Sequence, residues 1–206
     1  MFHTVLCLVA NVTCPISGTD DEAWIFTRFP DIHQNLISFL IQHGVDDLEA
    51  VREAFRILAN FSYFQNVSEK DTFDEFKMLF EEWINEKFLS ALASQLLKVD
   101  SDIEVALDCL HFCLGFLMNL SQNAEFGAVL IDNINLKAFF SLILNELVSP
   151  GSITSILNTL LQLLCNLSNN ANANTDFKSS CKSWILHVKE MEICDPQIVT
   201  SLLQRL

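Results

Sequence analysis

Cys109-Leu-His-Phe-Cys113 places two thiols one helical turn apart with an imidazole between them, and this is the sequence's best candidate for metal or thiol chemistry. Zinc needs further ligands at compatible spacing, and none stands nearby. Asp20-Asp21-Glu22, Asp46-Asp47, Asp74-Glu75 and Glu81-Glu82 are the paired carboxylates. General acid–base work needs a carboxylate in a concave, partly dry site. These pairs fall at helix starts and on solvent faces, where capping and the helix dipole account for the first two. There is no Gly-rich phosphate loop and no nucleophile elbow. The five histidines, at positions 3, 33, 43, 111 and 187, are scattered. The expectation is therefore no catalytic, cofactor or metal residue. Asn-x-Ser/Thr occurs at Asn11, Asn60, Asn66, Asn119 and Asn166. Four of these recur at one place in a repeat, so they are read as structural and not as glycosylation sites.

The repeat is the main signal. Leu58-Ala-Asn60-Phe-Ser62 returns as Leu117-Met-Asn119-Leu-Ser121 and as Leu164-Cys-Asn166-Leu-Ser168, with a weaker copy at Val9-Ala-Asn11-Val-Thr13. With the last three copies aligned on their Asn, the next residue is Phe61, Leu120 or Leu167. Two before it stand Leu58, Leu117 and Leu164; three before, Ile57, Phe116 and Leu163. Five before stand Phe55, Leu114 and Leu161; six before, Ala54, Cys113 and Leu160; nine before, Val51, Leu110 and Leu157. These positions form an apolar stripe wide enough to bury most of a helix's circumference. Cys113 coincides with Ala54 and Cys109 with Ala50, so Cys109, Cys113 and Cys165 are expected to be buried thiols without metal.

The remaining positions form one mostly polar line at helical spacing. Four before the Asn stand Arg56, Gly115 and Gln162; eight before, Arg52, His111 and Asn158; eleven before, Glu49, Asp108 and Ser155. Arg56, Asn60, His111, Asn119, Gln162 and Asn166 are the candidate partner-binding residues. The recurring Asn has two readings. Its amide lines a groove and bonds a ligand's backbone, or it satisfies carbonyls near a helix C-terminus.

The segments between copies repeat a plan of short helix, amphipathic helix and long buried helix. Ala124–Ile131 and Asn135–Val148 precede one copy, and Ser149-Pro150-Gly151 separates them from its long helix. Ala23–Arg28 and Asp31–His43 precede another, with Pro30 at the first turn, Gly44 ending the helix, and Asp46 or Asp47 capping the next. Phe73, Phe76, Phe80 and Trp83, in an insertion near Ser68–Glu86, make an amphipathic stripe. It either covers the core or docks on another protein.

Leu-x-Asn-Leu-Ser at the end of a long third helix resembles the armadillo repeat, and the resemblance covers nearly the whole chain. It implies an all-α, right-handed α-solenoid of three-helix repeats whose third helices line a concave face that holds an extended peptide or a partner's surface. On this plan the chain is a single array over 1–206. Partial repeats lie at 1–18 and 169–206, and repeats at about 19–64, 65–121 and 122–168. The motif separations of 49, 59 and 47 residues exceed the usual repeat of about 42. Nuclear import receptors of the importin-alpha type carry Trp four residues before the Asn. Cys7, Arg56, Gly115 and Gln162 stand there instead, so binding of nuclear-localisation signals is not expected. Residues 2–13 read as the tail of a third helix and Pro196–Leu206 as the start of one. That fits part of a longer array or complex, a divergent cap, or a truncated isoform.

Composition limits the partners. Half of the 206 residues are hydrophobic, with only 5 Gly and 4 Pro, which suits packed helices. Asp+Glu number 26 against 12 Lys+Arg, a formal charge of −14, so nucleic acid and anionic membranes are not expected partners. No run approaches the roughly 20 apolar residues of a membrane span. Met1–Val12 lacks the basic start of a signal peptide, and Asn11 interrupts it. Seven cysteines, an odd number mostly within apolar runs, indicate a reducing compartment, cytoplasmic or nuclear. The expected function is a non-catalytic scaffold binding a protein or peptide. The alternative is an armadillo-type co-chaperone or assembly factor that holds client proteins.

Overall fold

The computed structural model describes residues 2–12, 31–43, 47–64, 77, 103–132, 138–141, 143, 154–170, 175–190 and 196–205. All regular secondary structure among them is helical. Helix α1 spans Phe2–Val12, α2 Ile32–His43, α3 Leu48–Phe64 and α4 Ile103–Leu120. Then come α5, Ala124–Asp132, α6, Thr154–Ser168, α7, Thr175–Glu190, and α8, Pro196–Arg205. The long helices that close each motif copy, α3, α4 and α6, stand where the repeat places them, and α1 carries the weaker copy.

Local chemistry sets the helix starts. Asp47 caps α3, its Oδ1 accepting the Ala50 N–H at 3.0 Å, as one of the two expected caps. Asn123 caps α5 by accepting the N–H groups of Glu125 and Phe126 at 2.9 and 3.3 Å. Pro196 opens α8, where its missing N–H leaves no bond unmade. Helix α7 was not anticipated, because its polar sequence masks a narrow stripe. Phe177, Cys181, Ile185 and Val188, spaced four, four and three apart, are its buried residues. Of the expected helix over Asn135–Val148, residues 138–141 and 143 are described and helical. The expected helix Ala23–Arg28, the Ser68–Glu86 insertion apart from Lys77, Pro30, Gly44, Asp46 and the Ser149-Pro150-Gly151 break lie outside the described residues.

The chain divides into two compact units, Met1–Asn119 and Leu120–Leu206. In the first, α3 packs on α1 and α2, and the rings of Phe55 and Phe116 join α3 to α4 with centroids 6.3 Å apart. The aligned apolar positions are the core: Val51, Ala54, Phe55, Ile57 and Leu58, and likewise Leu110, Cys113, Leu114, Phe116 and Leu117, are all 0% exposed. In the second unit α6 packs against α5, α7 and α8, and Leu157, Leu160, Leu161 and Leu163 are equally buried. Phe140 meets Trp184 edge-on at 6.0 Å, and Trp184 Nε1 donates to Ser141 Oγ at 3.1 Å, so the part-buried indole N–H keeps a partner. Helix α1 departs from the other copies. It buries Leu6 and Ala10, but Val5 and Leu8, at positions buried in the other three copies, are 52% and 65% exposed. No described helix is long and apolar enough to cross a membrane.

Among the described residues two glycines sit inside helices, where Gly costs about 0.5–1 kcal/mol relative to Ala. Gly127 on α5 has a packing reason: a Cβ there would strike the Asn170 amide nitrogen, which donates to the Ala124 carbonyl at 2.8 Å. Gly115 on α4 is half-exposed, and no described atom lies within 4 Å of where its Cβ would be. Gly115→Ala is therefore expected to raise stability by about 0.5–1 kcal/mol. Gly127→Ala should gain nothing, because displacing Asn170 gives up a bond worth about 1 kcal/mol. Urea unfolding followed by circular dichroism checks the pair, and equal gains at both positions would contradict the packing described for Gly127.

Candidate functional site

The third-helix copies end in a repeated hydrogen-bond pattern. Each helix leaves its last carbonyls without intrahelical donors. The motif serine supplies one locally: Ser62 Oγ donates to Ala59 O and Ser168 Oγ to Cys165 O, both at 2.9 Å. The motif Asn supplies another from the next copy. Asn60 Nδ2 donates to Ala10 O at 3.4 Å. Asn119 Nδ2 donates to Ala59 O at 3.0 Å and to Ser62 Oγ at 3.2 Å. In the second unit, Asn166 Nδ2 donates to Ser121 Oγ at 3.0 Å. Of the two readings of the recurring Asn, carbonyl satisfaction therefore holds for the amide N–H groups of Asn60 and Asn119. The carbonyls belong to the preceding copy and not to the same helix. Ser62, Ser121 and Ser168 are 5%, 4% and 4% exposed, so the Asn-x-Ser motifs at Asn60, Asn119 and Asn166 are built into helix ends.

Of the six candidate partner-binding residues, Arg56, Asn60, His111 and Asn119 belong to the first unit, and Gln162 and Asn166 to the second. All but Gln162 are half-buried; Gln162 is exposed. Gln162 Nε2 donates to Asn166 Oδ1 at 3.2 Å, one turn away on α6. In the first unit, the Asn119 amide brings the end of α4 to Ala59 and Ser62 on α3. Arg56 lies over the Phe112 ring at 5.9 Å, and the same ring packs edge-on against His111 at 5.5 Å.

Glu53, which the sequence reading passed over, organises this face. It is 3% exposed and held by two guanidinium groups. Arg52 Nε and Nη2 reach its Oε1 at 2.8 and 2.7 Å, and Arg56 Nη1 reaches Oε2 at 3.4 Å. Arg56 Nη2 donates to Asn11 Oδ1 at 2.8 Å, and Arg52 Nη1 stands 3.9 Å from Asp108 Oδ2. Burial alone would weaken the Arg52 proton's hold, but the hydrogen bond and charge of Glu53, with Asp108, outweigh it and raise the pKa. A buried carboxylate is costly unless paired this way. Two cations and two anions then leave the face near local neutrality, although the chain as a whole carries −14. The signal was present in sequence: an acid inside the apolar stripe, flanked by Arg at one residue before and three after.

His111 Nδ1 is buried without a hydrogen-bond partner among the described residues. Asn166 Oδ1 accepts from Gln162, whereas the described bonds of Asn119 run through its Nδ2 alone.

Cys7, Cys109, Cys113, Cys165 and Cys181 are free thiols, and all but Cys7 are buried. No group of three or more potential metal ligands occurs among the described residues. Burial pushes the Cys109 thiol up to about 12, with Arg52 opposing and Asp108 assisting. Burial and the neighbouring Cys109 raise Cys113 well above the ordinary range. Thiolate chemistry is thereby suppressed at both. The chain matches no family model, no curated protein and no solved structure.

Asn119→Ala should cost about 1–2 kcal/mol, since two cross-helix hydrogen bonds go. Asn119→Asp should cost more, because it sets a carboxylate against the Ala59 carbonyl. Thermal unfolding reads both, and an aspartate variant as stable as the parent would show that the bond to Ala59 is not made.

For the thiols, Cys109 and Cys113 should resist iodoacetamide in the native chain at mildly alkaline pH and react after unfolding in guanidinium. Both folded pKa values are raised, so their contribution to stability is complete below the unfolded value of about 8.5. It declines as pH climbs from there towards about 12. Mass spectrometry of the alkylated peptides gives the result, and rapid native labelling of Cys113 would contradict its burial.

Proposed function

We propose that this chain is a non-catalytic scaffold of armadillo-type repeats that binds a partner protein or extended peptide along the face bearing Arg56, Asn60, His111 and Asn119. Gln162 and Asn166 hold the corresponding repeat positions in the second unit. The observation that carries the reading is the first unit's half-buried polar face, kept on helices whose other sides are closed by core residues. A helix that buries most of its circumference yet holds one organised polar line is suited to contact a second chain. The repeated reach of one copy's Asn to the preceding copy's helix end supports a stacked array. Glu53, the one buried acid among the described residues, is neutralised by two arginines, which is unlike a carboxylate poised for proton transfer. The free thiols suit a reducing compartment, cytoplasmic or nuclear.

The test is affinity capture from cell extract with quantitative mass spectrometry, comparing the parent chain with the double variant Arg56→Gln, His111→Ala. Glutamine is the residue the third copy carries at this position, Gln162. The expected result is a small defined set of proteins held by the parent, depleted about tenfold or more by the variant, with circular dichroism unchanged. A broad set of unfolded clients would favour a co-chaperone that holds client proteins. A captured set indifferent to the variant would place binding elsewhere.

A further inference from the structure

Helix α7 carries a basic row that its own surroundings do not explain. The chain has only 12 Lys and Arg against 26 Asp and Glu, yet Lys178, Lys182 and Lys189 all stand on this one helix. At about 100° per residue they fall within about 40° of one another around its axis. Lys182 and Lys189 are exposed and Lys178 is half-buried. No hydrogen bond or ion pair holds any of them among the described residues.

Two of these lysines run against local helix chemistry. Lys178 and Lys182 are four apart, where like charges repel. Lys178 also lies close to the helix N-terminus, the end that disfavours a cation. Lys189 in the last turn suits the dipole. The acids of α7 give no relief. Asp176 stands two residues before Lys178, and Glu190 directly follows Lys189; side chains at such spacings do not face each other. On α3 the comparable pair, Arg52 and Arg56, is held by the buried carboxylate of Glu53. On α7 that carboxylate is missing from the described residues. One turn beyond Lys182, Leu186 is 42% exposed, so the row joins two unpaired ammonium groups to an apolar side chain.

We propose that Lys178, Lys182 and Leu186 of α7 form a second docking surface, whose occupant is an acidic segment of a partner protein. Its carboxylates meet the two lysines, an apolar side chain covers Leu186, and Lys189 adds charge at the far end. Charge and shape of the row select this chemistry. Anionic membranes are held by larger clusters of cations, and duplex nucleic acid by many phosphate contacts. Both present extended negative surfaces to a chain carrying −14, whereas a short segment meets the row alone. This surface lies outside the motif helices α3, α4 and α6 and stands independently of the face bearing Arg56 and Asn119.

The experiment pans a phage-displayed library of random peptides of about 16 residues, enough to span the row, on the full chain. Counter-selection uses the double variant Lys178→Gln, Lys182→Gln. Synthetic winners are titrated by fluorescence anisotropy against the parent, the double variant, Lys182→Arg, Leu186→Ser and Arg56→Gln. Expected are winners that pair Asp or Glu with a large apolar residue. Their affinity should fall about tenfold or more with the double variant and about fivefold with Leu186→Ser. It should hold within about twofold for Lys182→Arg and Arg56→Gln, and weaken as salt shortens the reach of charge. The double variant should melt at or above the parent's temperature, because a like-charge pair is removed. If no peptide survives the counter-selection, or the survivors lack acids, the proposal is overturned while the scaffold reading of the first unit stands. Binding of phosphatidylserine vesicles or duplex DNA more tightly than any winner, lost in the double variant, also overturns it: the row would then recognise phosphate.

Discussion

The fold turns on what happens to the last carbonyls of each long helix. A helix end buried between neighbours must find donors for them or lose free energy for each one left bare. At the end of α3 the donors come from two places at once: a serine on the same helix and an asparagine on the next copy. Ala59 O accepts both Ser62 Oγ–H and Asn119 Nδ2–H. That double demand fixes how successive helices meet. Turning one helix by a single residue, about 100°, would swing the amide away from its acceptor and expose part of the apolar stripe. The connections between copies vary in length, as the motif separations of 49, 59 and 47 residues show. Such variation costs little, since loop closure depends only weakly on length. The contact at the helix ends recurs nonetheless.

Glu53 plays a comparable part on the open face. An acid at 3% exposure inside an apolar stripe would be a severe liability alone. With Arg52 and Arg56 drawn onto it, it becomes an anchor that lays two long flexible side chains flat against the protein. Arg56 then reaches Asn11 and covers Phe112, joining α1, α3 and α4. The two cations are thus paired and partly neutralised.

Much of this was legible in the residues. Aligning three motif copies picked out the core, and every aligned position from Val51 to Leu58 and from Leu110 to Leu117 that reads as apolar is fully buried. The Asp47 cap followed from chemistry that acts within a few residues. What escaped notice depends on neighbours distant in sequence. Nothing local says that Asn119 will reach Ala59 across 60 positions, so the amide's two readings could not be separated beforehand. Glu53 was obscured because burial of an acid makes sense only once both arginines are seen to converge on it. Helix α7 was missed because its stripe is one residue wide and the polar majority dominates any window average. Asn170 was invisible as the reason for Gly127, because their contact joins two helix ends.

The asparagine bonds also give the chain a direction. In each described case the donor lies downstream and the acceptor upstream: Asn60 to Ala10, Asn119 to Ala59, Asn166 to Ser121. A chain leaving the ribosome exposes its N-terminal part first. Each newly made helix therefore emerges carrying the donor that the end of an earlier helix is still waiting for. Growth from the opposite end would present amides with nothing to grip. The polarity of translation and the polarity of the contact therefore agree.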